Sequence, residues 1–236
     1  MSKRNTLASK DYVGDTTATI EVPRQREAIK IIESNPDLVR ILRDFGDVVF
    51  DCKISKGARE LWKIDTGIKL LDKLIYLISH YSRFNIEMLV KYKSERPSYR
   101  IVEYSGRVLG EAFKILAKER VRKYGIHGHG YSQGIFKEAF SEARLSLKSG
   151  FGFWISRGSS LKIFGRVGEL PEETIKLFFE EFARGINGTI HLDLVRSESP
   201  YNLWISAFIA FGEALGQTFA EDEWFKEESS MEEALA

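Results

Sequence analysis

His127 and His129 stand in a glycine-rich connection, Gly125-Ile126-His127-Gly128-His129-Gly130, while His191 and Asp193 fall two residues apart on a stretch that reads as a strand, so their side chains share a face. Imidazole nitrogens with a carboxylate are ligands that zinc takes. The spacing matches no established metal signature, so the residues assign neither metal nor cofactor, and His127 and His129 are the candidates if one binds. A hydrolase centred on His191 and Asp193 would also need a nucleophile, for which Ser206 is the nearest hydroxyl in the pattern. The glycine-rich connection lacks the lysine of a phosphate loop and any preceding strand, which argues against a nucleotide fold.

A second set is aromatic and basic. If 151–157, 161–167, 189–196 and 202–210 are strands, alternation places Trp154, Lys162, Phe164, Arg166, His191, Asp193, Trp204, Ser206 and Phe208 on one face, opposite a core face of Phe153, Ile155, Ile190, Leu192 and Leu203. Rings beside cations suit a protein interface or stacking of single-stranded nucleic acid. Covered by helices, the same rings would instead make a second core. Arg100, Arg107, Lys114, Lys118 and Arg122 form one stripe of a helix expected over 99–124, a solvated face or a surface for phosphates.

The elements that position these groups follow from periodicity. Apolar residues at helical spacing predict helices over 68–84, 99–124, 132–147 and 171–186, the last opened by Pro171 with Glu172 and Glu173 in its first turn. Two short helices are expected between Pro23 and Phe45, broken at Asn35-Pro36, and a further helical turn or two over 85–93. Strands fill the region from Phe151 to Ala210 around the 171–186 helix. The resulting fold class is α+β: a helical N-terminal half, then a four-stranded antiparallel sheet in β-β-α-β-β order with helices packed on it. The segments are a mobile basic arm (1–19), a helical region (20–96), the α+β domain (97–212) and an acidic tail (213–236). No internal repeat is evident.

The net charge of +1 conceals asymmetry: 91–123 carries ten Lys or Arg against four Glu, and 213–236 seven Glu and one Asp against Lys226 alone. The two segments could attract each other. A single cysteine, Cys52, excludes an intrachain disulfide, the first thirty residues lack a signal-peptide core, and no apolar run spans a bilayer, so a cytoplasmic location without membrane insertion is expected.

Tyr104-Ser105-Gly106-Arg107-Val108-Leu109-Gly110-Glu111 resembles the opening helix of the 4-vinyl-reductase domain family and its relatives, the small subunits of the TRAPP tethering complex, and Phe151-Gly152-Phe153 resembles that family's glycine-flanked turn. The resemblance covers about half the chain and implies a ligand-sensing or protein-interaction module that often dimerises. The family's cysteines are missing here, so no metal site carries over. A roadblock-type module shares the order over 132–210. The expected function is therefore a non-enzymatic interaction or small-ligand-binding module, homodimeric or bound to a protein partner. The alternatives are a nucleic-acid-binding protein, using the basic helix and aromatic face on a single strand, and a metal-dependent enzyme centred on His127, His129 and His191.

Overall fold

The computed structural model describes residues 29–61, 63–94, 97–159, 161 and 165–226. The expected N-terminal arm, and the tail from 227 onward, lie outside them. The N-terminal half is not helical. Strands β1 (Ile29–Asn35), β2 (Leu38–Asp44) and β3 (Val48–Ser55) form a meander, followed by β4 (Lys63–Asp65), helix α1 (Lys69–Ser82), β5 (Asn85–Tyr92) and helix α2 (Ser98–Lys123). The sheet order is β1-β2-β3-β5-β4, antiparallel except for the parallel β4/β5 pair. Asn35-Pro36 separates two strands rather than the two expected helices, in a tight turn where Asn35 Oδ1 accepts from Asp37 N at 3.0 Å. Val39 and Ile41 are buried while Arg40 is exposed, a period of two that the helical reading overlooked.

The second half repeats this order. Strands β6 (His129–Phe136), β7 (Ala139–Ser146) and β8 (Gly152–Arg157) precede a short ladder of β9 (Arg166–Val167) and β10 (Leu170–Pro171), then helix α3 (Glu172–Ile186), β11 (Thr189–Arg196) and helix α4 (Pro200–Thr218). Its sheet order is β6-β7-β11-β8, with β11/β8 parallel and the rest antiparallel, the same pattern as β2-β3-β5-β4. The molecule thus carries an internal structural repeat that the residues do not advertise. The sheet is mixed rather than antiparallel, and its members differ from those expected: 132–147 is a hairpin instead of a helix, and 202–210 belongs to α4 instead of a strand.

Both errors have one cause. Helix α4 lies directly on the β6–β7 hairpin, so the inward face of β6 is Gly130, Ser132 and Gly134, where a side chain could not fit: a Cβ on Gly134 would stand 1.9 Å from Ser206 O. The bulkier Tyr131 and Ile135 point outward, inverting the usual pattern. From Leu203 to Gly212 every residue of α4 is buried, because that stretch packs on the second sheet and on α1 together. The helices form a central layer between the sheets, α2 packed on α3 and α4 on α1, so each helix pair joins one half to the other. Among the described residues no helix is long and apolar enough to cross a membrane.

Candidate functional site

The expected sheet face is only partly assembled. Trp154 and His191, neighbours on β8 and β11, stack with ring centroids 4.8 Å apart on the outer face, and Asp193 beside them accepts from Arg144 and Ser156. Burial alone would raise the Asp193 pKa, but the hydrogen bonds from Ser156 and Arg144 outweigh it and hold the carboxyl below its ordinary value. Trp204 and Phe208 are elsewhere, fully buried in α4, where Trp204 Nε1 donates to Glu172 Oε1 at 3.1 Å and Phe208 packs on Phe179. Ser206 is buried too and shares a 2.8 Å hydrogen bond with Ser141, so it does not adjoin His191. Arg166 donates to Glu169 O at 2.7 Å, while Lys162 and Phe164 lie outside the described residues.

The basic stripe of α2 is largely occupied. Arg107 donates through Nε to Glu181 of α3 at 2.6 Å, and Arg100 stands 3.5 Å from Glu103. Lys114 is half-buried, its pKa lowered by burial and by the neighbouring Lys118, while Arg122 is exposed. Arg120, fully buried, donates to Pro36 O, Asp37 and Glu221, fastening the chain beyond α4 to the end of α2. His127 reaches Asp222 at 3.3 Å and His129 Nδ1 contacts His127 O at 3.0 Å, whereas His191 is on the outer sheet face. Those three histidines therefore build no metal centre, and among the described residues no group of three His, Cys, Asp or Glu side chains could hold a metal ion.

Two polar constellations escaped sequence reasoning because each joins distant segments. The first is a cavity of about 670 Å³ where the C-terminal ends of α1 and α4 meet, lined by Lys56, His80, Tyr81, Ser82, Arg83, Glu213, Gly216, Gln217 and Ala220. A smaller hollow adjoins it through His80 and Arg83. Gly212 and Gly216 let α4 approach α1, since a Cβ on Gly216 would stand 2.9 Å from Ser82 O. In the lining, Glu213 accepts from Ser132 Oγ at 2.6 Å and Gln217 Oε1 accepts from Tyr131 N at 3.1 Å. The site thus combines two cations, one carboxylate, an imidazole, a phenol and a primary amide.

The second constellation surrounds the starts of α1, α3 and α4. Lys73 donates to the Tyr201 hydroxyl, Asn202 donates to both oxygens of Glu138 at 3.0 Å, and Glu169 accepts from Leu70 N at 2.8 Å. Glu172 is buried, pairing with Arg157 as well as Trp204. These groups can donate, accept and transfer protons close to one another.

Against known proteins, the family model described as imidazoleglycerol-phosphate dehydratase matches residues 66–215. A protein of that name from Phytophthora nicotianae is 29% identical over 170 residues, 72% of this chain and 36% of that protein. One from Koribacter versatilis is 26% identical over 161 residues, 68% of this chain and 80% of that protein. The crystal structure of imidazoleglycerol-phosphate dehydratase from Staphylococcus aureus superposes with a TM-score of 0.64 at 19% identity, covering 78% of this chain and 99% of that one. The enzyme from Pyrococcus furiosus in complex with (S)-C348 gives 0.65 at 18% identity, covering 80% and 98%. These matches overturn the resemblance to the 4-vinyl-reductase and TRAPP families, which rested on an order of elements that the structure does not have. With it falls the expectation of a non-enzymatic interaction module, since the matched proteins are named for a dehydration.

Proposed function

Because this chain belongs to the imidazoleglycerol-phosphate dehydratase family, we propose that it eliminates water from imidazoleglycerol phosphate, the compound for which its relatives are named. The carrying observation is the extent of the match, which runs from the entry to α1 into the last turns of α4 and so takes in α1, α2, α3 and α4. Elimination from a vicinal diol removes a carbon-bound proton and a hydroxyl, leaving an enol that becomes a ketone. It needs one group to take the proton and another to protonate the departing oxygen, each worth on the order of 10²–10⁴ in rate. Both constellations hold such groups: His80 and Glu213 in the cavity, and Lys73 with Tyr201 at the helix starts. The buried Cys52 fits a reducing, cytoplasmic setting.

The test is formation of the ketone from imidazoleglycerol phosphate by the purified chain, assayed with and without added divalent cations. Turnover that falls at least a hundredfold in His80→Gln or in Tyr201→Phe, with folding intact, supports the proposal and locates the proton transfers. No ketone under either condition overturns it. Native mass spectrometry of the same preparation reads whether the chain self-associates.

A further inference from the structure

We infer that Lys56 is a nucleophilic amine that captures a small oxo acid, its nitrogen bonding to the carbonyl carbon while the Arg83 guanidinium holds the carboxylate. The inference concerns the cavity between the ends of α1 and α4 and does not depend on where, or whether, dehydration occurs.

Lys56 follows β3 directly, and its backbone N–H donates to Asp37 O at 2.8 Å. The same turn receives the fully buried Arg120, which donates to Pro36 O at 2.9 Å and to Asp37 Oδ1 at 3.0 Å. Arg83, which ends α1 with a φ of 60°, lines the cavity beside Lys56. The Lys56 ammonium stands 4.7 Å from the Phe84 ring centroid, an apolar neighbour that offers it no acceptor. Three cations from three distant segments thus converge, and of the three only the lysine can shed its proton. Its pKa is lowered by burial first and then by the charges of Arg120 and Arg83, with Glu221 acting the other way. The remaining titratable groups around it are His80 and Tyr81 of α1, Glu213 of α4, which accepts from Ser132 Oγ at 2.6 Å, and Asp37, which is engaged by Arg120 and Tyr124.

A lysine that loses its proton beside other cations is the nucleophile of Schiff-base chemistry. Its lone pair attacks the carbonyl carbon, a C–N bond forms, and the carbonyl oxygen departs as water with the two hydrogens of the amine, leaving C=N. No oxidant or reductant is consumed, and His80 and Tyr81 in the lining can pass the protons. The guanidinium fork of Arg83 matches the paired oxygens of a carboxylate. Gln217 spends its carbonyl oxygen on Tyr131 N, which leaves its amide N–H groups as further donors. A cavity of about 670 Å³ admits a small metabolite.

Reductive trapping of the full chain with glyoxylate and cyanoborohydride near neutral pH, read by peptide mass spectrometry, tests the inference. Expected is modification of Lys56 at least about fivefold faster than of the exposed Lys69 and Lys137, with a rate that rises at lower pH than theirs and an excess that vanishes in urea. Arg83→Gln should lower the glyoxylate-to-acetaldehyde rate ratio at Lys56 at least threefold, because acetaldehyde has no carboxylate to hold. Lys114 separates basicity from site: its pKa is lowered too, by burial and by Lys118, but it lies outside the cavity, so its ratio should not respond to Arg83→Gln. A smaller excess at Lys56, an excess that persists in urea, or a pH profile coinciding with those of Lys69 and Lys137 overturns the nucleophile. An unchanged ratio in Arg83→Gln overturns the oxo acid as its substrate. These readouts need no turnover, so their failure and the failure of ketone formation are separate results.

Discussion

Glu172 shows how much one side chain can hold in this fold. It opens α3, is 1% exposed, and accepts from both Arg157 and Trp204 Nε1, so removing it strands a guanidinium and an indole N–H away from water. Glu172→Ala is expected to cost about 3 kcal/mol in urea unfolding, in the range seen when one partner of a buried pair is lost. Cys52 offers a milder readout. Burial pushes its thiol pKa up, so the thiolate is suppressed in the folded chain, and a thiol reagent should label it only in denaturant. At Asp193 the consequence is a pH dependence. Its folded pKa lies below the ordinary 3.8, so its contribution to stability is complete above that value and is lost as pH falls through the lowered one. Asp193→Asn should flatten the acid limb of a stability-versus-pH curve while leaving neutral stability less affected than Glu172→Ala does.

At the scale of elements, the α2/α3 contact depends on the absence of side chains. A Cβ on Gly106 would lie 2.2 Å from Phe178 O and one on Gly110 2.3 Å from Phe182 O, while Gly185 meets Arg107 O in return. Gly110→Ala should therefore push the helices apart and cost about 1–3 kcal/mol, whereas Lys118→Ala on the partly exposed side of α2 should change stability by less than about 0.5 kcal/mol. The four-residue spacing of Gly106 and Gly110 is readable along the chain, and the structure supplies the neighbour it packs against. Helices α1, α2 and α3 and strands β8 and β11 were also legible, because each presents one apolar stripe or one alternating face to a single packed layer. The hairpin β6–β7 and helix α4 were not. In the one, the core face is built of glycine and serine, and in the other, burial on all sides erases the periodicity that identifies a helix.

Across the whole molecule, the two halves share one strand order, and the repeat extends to helix contacts. Gly110 and Gly212 each fall twelve residues after the first residue of their helices, Ser98 and Pro200, and each faces a helix of the other half. Since α2 packs on α3 and α4 on α1, neither half buries its helices alone. Unfolding is accordingly expected as one transition, with tryptophan fluorescence, dominated by the second half, and backbone circular dichroism coinciding in urea. Two separated transitions would show that the halves are independent.

What the amino-acid sequence determined by itself was local: where amphipathic helices run, where glycine and proline interrupt them, and that a lone cysteine forms no intrachain disulfide. Those features depend on residues a few positions apart. The tertiary structure decided everything that joins distant segments. It turned the apolar 203–212 stretch into a helix by surrounding it, converted the expected N-terminal helices into a sheet, and dispersed the aromatic face between a core and a surface. The same folding brought Lys56 from the end of one strand to Arg83 at the end of a helix and to Glu213 in another. No spacing along the chain encodes that cavity, because its charges become neighbours only when α4 closes on α1.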